Sequence, residues 1–360
     1  TSLATTYRAG HGIFKGAFEN WAFQSGTRTA TRTPHVVILP QGLGRTQLAP
    51  IQFVRTKQGG LKQIATLYMD IDLIQTHRID DNDKAFTASF YLSLRSTGQV
   101  FIDDLEFTNA ALDPRANGRQ LTITRLSNGS PGSAYPDHMQ IYKITGRFTF
   151  EPELSDYPFD SQSFAITIQP KQADRPFIVQ PPPLSLRDKV VETDGWDVKS
   201  QYVGYSEDFV PLLDAFTHEA SVVPFQKASF VWVMARQTTD YYLRVVVPLA
   251  FILIVAYLSY FISTKHFEAI VTIQVTALLS AVALYLSLPK IDADSATLSD
   301  RLFVFNYLVV SVMIGISILR VNSVIGRRRS ARVLLGISHI ILIPLMVAAV
   351  GYYVLDIAIR

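Results

Sequence analysis

Four long apolar runs in the last third of the chain constrain it more than any other feature. They are Tyr241 to Ile262, Ala269 to Leu288, Leu302 to Leu319 and Val333 to Leu355. A run of about 18 or more mostly apolar residues can cross the ~30 Å hydrocarbon core of a bilayer. Inside that core every backbone polar group must be satisfied within the segment, so such runs cross as helices. The fourth run carries no Asp, Glu, Lys or Arg, and the second is the most polar, with Thr272, Gln274, Thr276, Ser280 and Ser287. Lys and Arg concentrate in cytoplasmic loops. The loop between the third and fourth runs holds Arg320, Arg327, Arg328, Arg329 and Arg332 and no acid, and the loop between the first and second holds Lys265 and His266. The loop between the second and third is mixed, with Lys290 and Arg301 against Asp292, Asp294 and Asp300. The arginine-rich loop is therefore expected inside a cell (inner) membrane, with the N-terminal domain and the C-terminus on the periplasmic or extracellular side.

The preceding two thirds read as a water-exposed domain. Period-two alternation, the mark of half-buried strands, places Leu67, Met69, Ile71 and Leu73 on one face. It does the same for Phe86, Ala88, Phe90, Leu92 and Leu94, for Phe164, Ile166 and Ile168, and for Phe230, Trp232 and Met234. Turn clusters at 79–83, 128–132 and 181–183 separate these segments. The pattern predicts an antiparallel β-sandwich over 61–239, followed by a four-helix transmembrane domain over 240–360. Residues 1–60 fit it poorly and read as an added segment or the remnant of a further N-terminal domain. No leader is visible after Thr1, so any signal peptide is expected to have been removed or to lie outside this sequence. The chain has no cysteine, which excludes disulfides and thiolate metal sites, and its net charge of +3 makes no case for nucleic acid. Seven histidines form no metal pair at helical spacing, and neither a phosphate loop nor a nucleophile elbow is present, so enzyme chemistry is not expected.

Function follows from sites rather than from fold. Tyr157-Pro158-Phe159-Asp160-Ser161-Gln162 resembles the signature loop of the pentameric ligand-gated ion channels, the Cys-loop receptor superfamily. Vertebrate members close that loop with a disulfide; here Phe150 and Phe164 stand at the equivalent positions, similar to the bacterial branch. Tyr135-Pro136-Asp137 resembles the family's Trp-x-Pro-Asp segment, and Gly195-Trp196-Asp197 a later strand motif. Arg236, Tyr241-Tyr242-Leu243 and Pro248 resemble the entry to the first membrane helix, and Val271-Thr272 through Leu278-Leu279-Ser280 to Pro289 the pore helix. The resemblance runs from about residue 62 to 356. It implies a homopentamer around a central pore, opened by a small molecule, proton or divalent cation bound to the outer domain. None of Trp21, Trp196 and Trp232 falls where the aromatic cage of amine-binding members would need one, so an amine agonist does not fit. The loop between the third and fourth helices is too short for the cytoplasmic domain of animal members.

Within the second run, Glu268, Thr272, Thr276, Leu279, Ala283 and Leu286 are spaced 4, 4, 3, 4 and 3, so they form one line along a helix. Five copies around an axis would give a hydrated inner mouth and an apolar constriction above it. The plain alternative is a packed helix using its hydroxyls between helices, and Gln274 and Ser280, off the line, are expected to do so. Glu268 also suits the electropositive first turn of a helix; in the family a glutamate here marks cation selectivity. The resemblance implies a coupling interface of Asp80, Asp81, Tyr157, Pro158, Phe159, Asp160, Arg236 and Pro289, although aspartates also favour turns for local reasons. Calcium is a candidate modulator, because it takes carboxylate oxygens. Its candidate ligands cluster at Asp81 and Asp83, at Asp103, Asp104 and Glu106, and at Glu151 and Glu153. Arg244 is expected to snorkel at a membrane edge, and His339 is an intramembrane ionisable group. A non-channel receptor anchored by four helices is the competing reading, and the aligned Thr, Thr and Glu argue against it.

Overall fold

The computed structural model of the chain describes residues 13–15, 20–23, 30–31, 36–39, 46–55, 61–96, 100–113, 118–132, 134–172, 175–182, 191–213, 220–326 and 328–359. The alternating segments are strands, as their periodicity predicts. The main ones are β1 Ile51–Arg55, β2 Leu61–Asp80, β3 Ala85–Ser96, β4 Leu105–Phe107, β5 Leu121–Asn128, β6 Gln140–Thr149, β7 Ser161–Pro170, β8 Phe177–Gln180, β9 Glu192–Thr193, β10 Trp196–Leu213 and β11 Ala220–Arg236. One sheet runs β5-β6-β3-β2-β8, with β1 and β9 also paired to β2, and the other runs β10-β11-β7-β4. Two details depart from a purely antiparallel sandwich starting at 61. The short strands β8 and β9 pair parallel with β2. β1 pairs antiparallel with β2 over Ile51↔Ala65 to Arg55↔Leu61, so the sheet begins within the segment read as extraneous. Of the rest of that segment, Ile13–Lys15, Asn20–Phe23 and Ala30–Thr31 form a small separate sheet; the remainder of the expectation for 1–60 falls largely outside the described residues.

The inward sets close one core. Leu67, Met69, Ile71, Phe86, Phe90 and Leu92 of one sheet and Phe164, Ile166, Phe230, Trp232 and Met234 of the other all lie in it. Phe150 and Phe164 sit with ring centroids 4.9 Å apart, both buried, so an aromatic pair occupies the place where the resemblance implies a lost disulfide. Phe86 stands edge-on to Phe164 at 5.1 Å, and Phe164 edge-on to Trp196 at 5.2 Å. The segment likened to Trp-x-Pro-Asp is exposed in the connection between β5 and β6.

Four helices are long and apolar enough to cross a membrane: α1 Thr239–Phe261, α2 Thr264–Ser287, α3 Leu298–Val321 and α4 Arg329–Ala358. Each begins before its apolar run, where side chains can cap the first turn. Thr297 and Asp300 do this for α3 by a reciprocal capping box, with Thr297 Oγ1 accepting from the Asp300 amide at 3.1 Å and Asp300 Oδ2 accepting from the Thr297 amide at 2.9 Å. Ala256 and Tyr260 of α1, Ala277 of α2, Val309, Val310, Met313 and Ile316 of α3, and Ile343 of α4 make the bundle core.

The C-terminal end of α1 takes side-chain hydrogen bonds from its own last turn and from α3 and α4. The last carbonyls of a helix have no partner within it, and here Ser259 Oγ donates to Ala256 O (2.7 Å), Arg320 Nη1 of α3 to Tyr260 O (2.7 Å), and His339 Nε2 of α4 lies 3.0 Å from Tyr257 O. His339 is fully buried in a π-turn, Ser338–Leu342, between the rings of Tyr260 (3.9 Å) and Tyr257 (4.7 Å). The intramembrane histidine is thus a helix cap and a stacking plate. Arg244 is exposed and pairs with Asp240 one turn earlier at 2.8 Å.

Candidate functional site: the outward face of the second helix and the junction of sandwich and helices

The junction between sandwich and helices is built around Arg236, the last residue of β11. Strand register sets Arg236 opposite Trp196, and Ala235 opposite Ser161, so Asp160 arrives beside Arg236. The Arg236 amide donates to Asp160 O at 3.1 Å; its Nε donates to Asp160 Oδ1 (2.9 Å) and its Nη2 to Asp160 Oδ2 (3.1 Å), a two-pronged contact of the strong kind. Nη2 also meets Asp81 Oδ2 at 2.9 Å. The guanidinium lies over the rings of Trp196 (4.3 Å) and Tyr157 (4.9 Å). Gln162 Nε2 donates to Asp160 Oδ2 at 2.6 Å, which leaves the buried Asp160 carboxylate fully engaged. Burial weighs against the Arg236 charge, but the hydrogen bonds and charge of Asp160 and then the charge of Asp81 outweigh it, so its pKa stands above the ordinary arginine value. Asp81 is less well served. Its Oδ1 is buried without a hydrogen-bond partner among the described residues, and burial lifts its carboxyl above the usual 3.8 despite the pull of Arg236. Burial likewise raises the Tyr157 phenol.

Contacts run from this cluster into the helices. The 157–160 loop, with its cis Tyr157–Pro158 peptide, sets Phe159 against Tyr241 (6.1 Å) and Tyr242 (5.3 Å), and Tyr157 against Tyr241 (6.5 Å). Tyr157 O accepts from the Ser299 amide at 3.1 Å, and Ser299 Oγ lies 2.7 Å from the Tyr241 hydroxyl. Sequence reasoning overlooked Asn82. Its amide donates to Lys290 O (3.1 Å) and accepts from the Asp292 amide (2.8 Å), which docks the β2–β3 turn on the loop after α2. Its position between three aspartates in an exposed turn was the available signal. Pro289 is exposed and immediately precedes Lys290.

The neighbouring acids do other work. Asp80 Oδ1 accepts the amides of Asn82 (2.9 Å) and Asp83 (3.1 Å) and so shapes the turn rather than the junction. Asp83 pairs with Arg147 (2.5 Å), Glu106 with Arg119 (3.0 Å), and Asp104 with Arg175 (3.6 Å). Glu151, Glu153 and Asp103 are exposed. Among the described residues no three His, Asp or Glu side chains converge as a metal site. The acidic runs expected to attract calcium are dispersed, because neighbours along a strand or turn point apart and arginines from distant strands engage them.

On α2 the expected stripe and the packed face are opposite. Glu268, Thr272, Thr276, Leu279, Ala283 and Leu286 are all exposed in the single chain, Leu279 at 62% and Leu286 at 75%, whereas Ile270, Gln274, Ala277 and Ala281 are buried. Thr272 Oγ1 donates to Glu268 O at 2.7 Å, a local bond that leaves its oxygen lone pairs facing outward. Gln274 bonds to neighbouring helices as expected, with Nε2 donating to Ser259 and Ser317. Ser280 bonds to no neighbouring helix among the described residues and is exposed on the flank of the stripe. No protein-family model matches the chain, and no curated protein matches it.

Proposed function

We propose that this chain is one subunit of a homopentameric, cation-selective, ligand-gated channel of the bacterial type, set in the inner membrane with its sandwich outside. The observation that carries the reading is the outward stripe of α2. A carboxylate and two hydroxyls turned away from their own bundle would be costly against lipid but suit a water-filled axis. The apolar rings of Leu279 and Leu286 farther along suit a dewetting gate. The Arg236 junction supports the second half of the reading, since it ties a ligand-sensing domain to both the first helix and the loop that follows the pore helix. The Glu268 carboxylates would concentrate cations at the inner mouth.

Native mass measurement of the purified protein should give five copies. Planar-bilayer recording in asymmetric salt, with pH and calcium varied, should give cation-selective unitary currents. Glu268→Gln should lower conductance or weaken the cation preference. A monomer or dimer, or intact pentamers that never conduct, would overturn the proposal.

A further inference from the structure

The buried residues of α2, Ile270, Gln274, Ala277 and Ala281, are spaced 4, 3 and 4 and form a line of their own. Gln274 stands two residues from both Thr272 and Thr276, a rotation of about 200° at 3.6 residues per turn, so it lies on the far side from them. The other three members offer only apolar contact. Between helices in a bilayer such contact has no hydrophobic bias, because lipid tails are as apolar as the side chains. Ile and Ala surfaces therefore set the distance of α2 from its neighbours better than its rotation.

Gln274 differs in kind. Fully buried, it donates from Nε2 to Ser259 Oγ of α1 at 2.9 Å and to Ser317 Oγ of α3 at 3.1 Å. Both acceptors are themselves held, Ser259 Oγ by donating to Ala256 O (2.7 Å) and Ser317 Oγ by donating to Met313 O (3.0 Å), so their lone pairs have fixed directions. Hydrogen bonds weaken steeply below about 120°. Turning α2 by one residue, about 100°, would carry the carboxamide away from both serines. Its Oε1 has no partner among the described residues, so the donor side alone makes the connection.

We propose that Gln274 is a positioning residue that fixes the rotation of α2 by pinning it to α1 and α3, and thereby decides which residues face the pore. This rests on the channel reading, and the experiment separates the two. The chain has no cysteine, so single introduced cysteines report accessibility without background. In reconstituted vesicles Thr276→Cys should react with a charged, water-soluble thiol reagent far faster than Ala277→Cys. Equal rates in the otherwise unaltered protein would refute the channel reading itself. With that contrast in hand, Gln274→Met keeps the length of the side chain and removes both donors. The contrast should then fall roughly 3-fold for each bond lost and about 8-fold for both. Ser259→Ala and Ser317→Ala, which leave α2 untouched, should each lower it about 3-fold, and Gln274→Met should add little once both serines are gone. An unchanged contrast in Gln274→Met and in both serine variants would overturn the assignment. Should Gln274→Met fail to assemble, the two serine variants decide it alone.

Discussion

Replacing Arg236 with alanine should be the most damaging single change at the junction. Its side chain is only 17% exposed, and those of Asp160 and Asp81 are 2% and 12% exposed. Removing one partner of a buried pair leaves the other charge uncompensated and costs about 3–5 kcal/mol. Here two carboxylates lose their cation, and two rings, Trp196 and Tyr157, lose the guanidinium over them. At about 2–4 °C per kcal/mol for a domain of this size, the melting midpoint should fall by roughly 6–20 °C. Trp196 lies under the guanidinium, so intrinsic fluorescence in detergent reads both the local change and the melt. The carboxylates should rank unequally. Asp160 takes two bonds from Arg236 and one from Gln162, whereas Asp81 takes one and keeps a bare buried oxygen. Asp160→Asn should therefore cost clearly more than Asp81→Asn. On the channel reading, assembled Arg236→Ala should also open poorly, because the cluster that holds the 157–160 loop, whose Phe159 packs on Tyr241 and Tyr242, loses its centre. A midpoint within a degree or two of the parent, or the reverse order of the two aspartates, would refute this account.

Three further outcomes follow from the same geometry. Because the Asp81 carboxyl is raised in the folded protein, that state binds more protons than the unfolded chain between the ordinary 3.8 and the folded value. Its stabilising contribution is complete below 3.8 and is lost as pH rises through the folded value; Asp81→Asn should remove that component from the pH dependence of unfolding, and identical slopes would sink the argument. Leu279→Ser should assemble normally, since Leu279 is 62% exposed in the single chain, and should open more easily or leak at rest; normal pentamers with unchanged gating in bilayer recordings would rule out a gate at Leu279. His339→Phe keeps the stack on Tyr257 and Tyr260 and loses the bond to Tyr257 O, so it should cost on the order of 1 kcal/mol, whereas His339→Ala opens a cavity and should cost about 2–5 kcal/mol; equal losses in thermal melts would show that the stack contributes nothing.

Much of the architecture was legible because it depends on neighbours in sequence. Backbone geometry alternates strand side chains and stacks helical ones every three or four residues, so Phe86 to Leu94 declared a buried face and Glu268 to Leu286 a line on a helix before any partner was known. Apolar length alone marked the four candidate spans. The pairing of those parts was decided elsewhere. Asp80, Asp81 and Asp83 share one turn and one chemistry. Yet the first is taken by amides of its own turn, while distant strands bring Arg236 to the second and Arg147 to the third. The same dispersal separated the acidic runs expected to gather a metal. Position off the stripe marked Gln274 and Ser280 alike, yet only Gln274 meets neighbouring helices, and for Asn82 and His339 the sequence marked a turn and a span but not a dock or a cap. Periodicity is a property of contiguous backbone, whereas a hydrogen bond needs a partner whose position only the folded topology supplies.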